Sequence, residues 1–202
     1  MSDLYTTITA PTTGDFRDRG SKFLAYAYSV YSREDIKNCL EEVGKLHPKA
    51  RHHCFSWRLG TDGTQYRAND DGEPSGTAGR PILGQIDSFG LTNVLVVVVR
   101  YFGGTKLGVP GLINAYKRST IDALEQAETI EKTVDNVYQL TFGYEIMSDV
   151  MNFVKKAGLN VIKQEFEAAG LIEFALRQSE TDNILEQIKK IEGLKCSFLR
   201  TQ

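Results

Sequence analysis

The chain has 202 residues and a mass of 22.6 kDa, with 41% hydrophobic and 25% charged residues. That balance excludes disordered, collagen-like and disulfide-scaffold chains and leaves room for one large domain or two small ones. A formal charge of −2 and a pI near 6.0 exclude a uniformly basic, nucleic-acid-coating protein, although a local basic patch is still allowed.

In chain order, Ser32 predicts a helix cap with Asp35 three positions on. Ile36, Cys39, Leu40, Val43 and Leu46 follow at helical spacing until Pro48. His53 to Leu59 alternates like a half-buried strand and ends at Gly60-Thr61-Asp62-Gly63. Asn93 to Tyr101 is β-branched and nearly all apolar, which predicts a strand buried on both faces. A glycine-rich loop, 103–111, leads into a helix predicted over Leu112 to about Glu128. From Val134 the order reads strand (Val137 to Tyr144), helix (Met147 to Ala157), strand (Asn160 to Glu167), strand (Leu171 to Arg177), helix (Thr181 to Ile191), strand (Leu194 to Leu199). This β-α-β-β-α-β order is ferredoxin-like. The expected fold class is therefore α+β, with domains at 1–133 and 134–202 and a boundary in the polar stretch Gln126 to Asp135.

Cys39, Cys54 and Cys196 are widely spaced with no CxxC pair, so a disulfide framework and a cysteine zinc site are both unsupported and the expected compartment is reducing. Met1 to Ala10 lacks a signal peptide's basic start and apolar run. The longest apolar run, Val94 to Val99, falls short of the roughly 20 residues a membrane span needs. A cytoplasmic protein without a membrane partner is expected.

Charge is unevenly placed. Residues 49–118 carry a net +4, while 1–48, 119–134 and 135–202 are each net acidic. Within the basic segment, the loop from Tyr101 to Gly111 lies between a buried strand and a helix start, where glycine amides and Lys106 could hold an anion. A tight strand-to-helix turn is the alternative. Neither GxxxxGK[ST] nor GxGxxG is present. Asp70, Asp71 and Glu73 lie within four residues. They read either as ligands for a divalent cation or as acids that cap a structured turn and hold Arg80. His52 and His53 should point to opposite faces of their strand. Together with His47 they could in principle form a zinc site, but packing and surface roles explain them as well. Cys54 reads as a small core residue or, alternatively, a nucleophile. Arg51, Arg58, Arg67, Arg80, Arg100, Lys106, Lys117 and Arg118, with Tyr66, Tyr101 and Phe102 among them, fit phosphate contacts and base-stacking platforms or an ordinary solvated surface.

Two stretches carry a family resemblance: Asp70-Asp71-Gly72-Glu73-Pro74-Ser75-Gly76-Thr77-Ala78-Gly79-Arg80-Pro81-Ile82, and Val99-Arg100-Tyr101-Phe102-Gly103-Gly104-Thr105-Lys106-Leu107-Gly108 with Gly111-Leu112 and Ala115-Tyr116 after it. Lys22-Phe23, Ala25, Lys49-Ala50 and His53-Cys54 match weaker positions upstream. The sequence resembles the two-domain bacterial form of the IMPACT family along its whole length, with Pro110 where many members have glycine. The resemblance implies an N-terminal ribosomal protein S-five domain-2-like domain and a C-terminal ferredoxin-like domain resembling the last domain of elongation factor G. It also implies a role in regulating translation.

The reading adopted from the sequence is a non-enzymatic protein that binds RNA or the ribosome without metal or cofactor. Its expected anion-binding residues are Arg51, His53, Arg80, Arg100, Tyr101, Gly103, Gly104, Lys106 and Gly108. The companion motif loop is Asp70, Asp71, Gly72, Glu73, Pro74, Gly76, Thr77 and Gly79. An enzyme acting on a small phosphorylated or peptide-like substrate and a protein-partner-binding module are the alternatives.

Overall fold

The computed structural model describes residues 3–167 and 169–201. The fold is α+β, and the chain separates into two compact units: Tyr5–Lys132, and Thr133 onward together with the first residues through Leu4.

The first unit opens with β1 (Leu4–Ile8), which pairs with β7 (Thr129–Thr133) from the unit's far end. Its main sheet has five strands in the order β2-β3-β6-β4-β5, with every pairing antiparallel. They are β2 (Thr12–Asp18), β3 (Ser21–Ser29), β4 (His52–Leu59), β5 (Gln65–Asn69) and β6 (Val94–Tyr101). Helix α1 (Arg33–Leu46) covers one face, and α2 (Gly79–Ser88) and α3 (Gly108–Glu125) cover the other. The central strand therefore meets a core on each side. Val94, Val96 and Val98 pack toward α2 and α3, while Leu95, Val97 and Val99 pack toward α1. All six are fully buried, and each such side chain contributes about 1.5–3 kcal/mol relative to exposure.

Local chemistry sets the helix boundaries. The α1 cap is reciprocal: Asp35 N donates to Ser32 Oγ at 3.0 Å, and Ser32 N donates to Asp35 Oδ2 at 2.9 Å. Helix α3 begins at Gly108, four residues before the expected Leu112, because Pro110 sits in its first turn, where a missing N–H costs nothing. It ends at Glu125 rather than Glu128, and the acidic stretch beyond it contributes β7. Helix α2 and strands β1, β2, β3 and β5 were not expected from hydrophobic periodicity.

The second unit is ferredoxin-like. Strands β8 (Asp135–Phe142), β9 (Asn160–Phe166), β10 (Gly170–Arg177) and β11 (Lys195–Thr201) form an antiparallel sheet in the order β11-β8-β10-β9. Helices α4 (Met147–Lys156) and α5 (Thr181–Ile188) close one core around Leu140, Ile172 and Phe174. No helix among the described residues is long and apolar enough to cross a membrane.

Candidate nucleic-acid interface

Strand register brings the two motif loops to one end of the five-stranded sheet. Lys22 opposes Tyr101 and His52 opposes Arg100, so the starts of β3 and β4 lie beside the end of β6. The loop leaving β5 emerges at the same end, since Asn69 opposes Phe55 near the start of β4.

What joins the loops is a buried polar node. Arg100 faces α2 and α3, on the same side of β6 as Val98. Its Nη1 donates to Glu73 Oε1 at 2.6 Å, and both side chains are under 10% exposed. Tyr116 of α3 donates from its hydroxyl to the same oxygen at 2.8 Å. Burial, with Cys54 and Glu73 adding to it, pushes the Tyr116 hydroxyl pKa far up, so it remains a neutral donor. Cys54 Sγ lies 3.0 Å from the Asp70 carbonyl, which its single S–H can reach, and 3.3 Å from Tyr116 Oη. Its thiol is pushed up to about 12, chiefly by burial, which makes it a core residue and not a nucleophile at neutral pH. Arg100 also lies over the rings of Phe23 and Phe102, 5.5 and 5.6 Å from their centroids, while its Nε is buried without a hydrogen-bond partner among the described residues.

The three acids serve three different partners. The Asp70 carboxylate accepts from the backbone N–H groups of Gly76, Ala78 and Gly79 at 2.8–3.0 Å and so caps the entry to α2. Burial opposes its ionisation, but these amides and Arg80 outweigh it and hold the carboxyl below its ordinary value. Asp71 Oδ2 accepts from His53 N at 2.6 Å, and the Asp71 carbonyl lies 2.8 Å from His52 Nδ1. Glu73 neutralises Arg100. This is the capping alternative, with the difference that Glu73 holds Arg100 and not Arg80.

Two glycines are required by close approach. A Cβ on Gly103 would lie 1.9 Å from the Gly20 carbonyl carbon in the β2–β3 turn, and one on Gly79 would lie 2.6 Å from Asn69 N. The glycine-rich loop is thus clamped at its base, where Gly103 N also donates to Ser21 Oγ at 3.1 Å. Its tip is open: Phe102, Gly104 and Lys106 are all exposed.

The expected anion-binding residues therefore divide. Arg51, Arg80, Gly103, Gly104, Lys106 and Gly108 are exposed. Arg100 is a correction, because its charge is already neutralised inside the domain. Tyr101 is another: it faces α1, where its hydroxyl lies 2.9 Å from His47 Nδ1. His47 Nε2 lies 2.6 Å from Tyr26 Oη, so one ring nitrogen accepts and the other donates. Burial, followed by the charges of His53 and Lys22, lowers the His47 pKa and favours this neutral ring. His53 is half-buried with Nε2 at 3.2 Å from the His47 carbonyl, whereas His52 lies on the opposite face, so the three histidines do not converge. Sequence reasoning missed Tyr116 as a polar partner. It noted Tyr116 only as a residue of the family resemblance, although a buried phenol needs an acceptor.

The fold and this node define a two-domain α+β protein with a ferredoxin-like second domain. The chain belongs to the IMPACT family, since the Impact N-terminal domain matches residues 19–124, more than half of it. It is 36% identical over 169 residues to the Escherichia coli K12 IMPACT family member YigZ, covering 83% of each chain. It is 29% identical over 180 residues to the Bacillus subtilis 168 family member YvyE, covering 88% of this chain and 82% of that one. A crystal structure described as that of a hypothetical protein matches with a TM-score of 0.76 and 30% identity over 99% of both chains.

Proposed function

We propose that this protein is a translation regulator that binds RNA or the ribosome through the exposed rim of the motif end of its first domain, without catalysing a reaction. The observation that carries this reading is the contrast between the base and the tip of the Tyr101–Gly111 loop. The base is locked by Arg100, Glu73, Tyr116 and the β2–β3 turn. The tip presents Phe102, which is 58% exposed, and Lys106 to solvent, with Arg51 before the neighbouring strand β4. An exposed ring beside cations on a rigid base suits stacking on an unpaired base with phosphate neutralisation. Membership of the IMPACT family supports the link to translation.

The enzyme alternative is weaker, because Asp70, Asp71 and Glu73 diverge onto a helix entry, a strand start and a buried arginine. Titration of the full chain against ribosomes and short single-stranded RNAs tests the proposal. Binding should weaken with added salt at a log-log slope of about −0.7 for each phosphate contact. Absence of salt-sensitive binding at low ionic strength contradicts it.

A further inference from the structure

On the other face of the five-stranded sheet, α1 leaves a trough of about 390 Å³ beside the outer strands β4 and β5. Half-buried Phe55 and buried Trp57 of β4 form its floor, and Ile36 and Leu40 of α1 form its apolar wall. Two arginines lie on these rings. Arg33 Cζ is 4.7 Å from the Trp57 centroid, and Arg67 Cζ is 5.9 Å from that of Phe55.

The arginines are held but not neutralised. Neither makes a hydrogen bond or ion pair among the described residues, whereas neighbouring Lys37 is paired with Glu41 at 3.8 Å. A guanidinium near a ring face still has N–H groups to offer, in the planar fork that matches a carboxylate. Each arginine thus lies beside an aromatic ring with its charge unpaired and able to receive an acid.

Strand β5 borders the same trough and, among the described residues, pairs only with β4, which leaves its outer backbone edge unpaired there. It contains no proline, and its register with β4 runs without a bulge from Leu59–Gln65 to Phe55–Asn69. An extended segment laid along such an edge gains main-chain hydrogen bonds, and its alternate side chains lean over one face. On the α1 face they would meet an apolar wall and two free guanidinium edges.

Charge decides between peptide and nucleic acid. Helix α1 also displays Glu34, Glu41 and Glu42 to solvent. A polyanion with a phosphate at every unit would meet these carboxylates, but a peptide needs only one or two acids, placed at Arg33 and Arg67. We infer that β5 and the trough beside α1 form a docking strip for an extended peptide segment of a partner protein, one in which aliphatic residues alternate with aspartate or glutamate. This surface is separate from the motif rim and does not depend on its function.

Trp57 is the chain's single tryptophan, so its fluorescence reports on the trough directly. The full chain is titrated with short synthetic peptides that alternate valine or leucine with aspartate, with matched peptides carrying lysine for aspartate, and with short single-stranded RNA. Hydrogen exchange is followed at Gln65–Asn69. The acidic peptide should change Trp57 emission saturably and slow exchange along β5, while the lysine peptide does neither. In the double variant Arg33→Glu/Arg67→Glu, acidic-peptide affinity should fall about tenfold or more and the lysine peptide should gain binding. Lys156→Glu, on α4, should bind as the unmodified chain does, and matching thermal melts show that each variant is folded. The inference is overturned by equal responses to acidic and lysine peptides, by no response to the acidic peptide, or by RNA acting on Trp57 more strongly than the peptide does.

Discussion

The two principal sheets treat charge in opposite ways. The five-stranded sheet is covered on both faces, so the single charge on its central strand, Arg100, is buried and needs Glu73 beside it. The four-stranded sheet packs helices on one face only. There Arg200 and Glu173 face each other at 4.0 Å with the arginine half exposed. Similar residue pairs thus do different work. One fastens two loops inside a core, where removing a partner strands a charge, and the other decorates a wet surface.

This contrast can be broken most strongly at Glu73. Glu73→Ala leaves Arg100 buried without its counter-charge and should cost about 3–5 kcal/mol in urea unfolding. Glu73→Leu combined with Arg100→Met should restore most of that stability. A double variant as unstable as the single would mean that packing, and not charge, joins the loops. Next in size is Asp70→Ala, which removes the carboxylate cap of α2 and should cost about 1–2 kcal/mol. Because the folded-state pKa of Asp70 is lowered, its contribution is present above the unfolded value of 3.8 and is lost as pH falls through the folded value. The Asp70→Ala variant should therefore show a shallower acid limb when stability is followed below pH 5. Glu173→Ala in the second sheet should cost under about 1 kcal/mol. The smallest expected effect is a slope. Since the His47 pKa is lowered in the folded state, the unfolded chain takes up that proton first as pH drops below 6.5, and stability declines until the folded value is passed. His47→Gln should remove that slope from a series of melts.

Much of the fold was legible from the sequence because periodicity is a local signal. The capping box at Ser32, the apolar run at 94–99 and the whole β-α-β-β-α-β order read directly from residue spacing. Helix α2 did not, because its first turn, Gly79-Arg80-Pro81, has the composition of a loop and its cap is supplied by Asp70 through a turn. Strand β5 was equally silent, since its edge position leaves nearly every residue exposed. The sequence marked the motif residues, but not their division into base and tip. Arg100 and Lys106 look alike in sequence. Only the register of β6 against its neighbours shows that the first lies under Glu73 and the second stands in water.

The rim, and not the node, is the surface proposed to meet RNA. The most direct test is a salt series of RNA and ribosome binding for the full chain against the variant Arg51→Glu/Arg80→Glu/Lys106→Glu, whose three sites are exposed. The variant should melt with the unmodified protein, bind much more weakly at low salt, and show a log-log slope shallower by about 0.7 for each phosphate that is no longer neutralised. Unchanged affinity and slope in a folded triple variant would contradict the proposal.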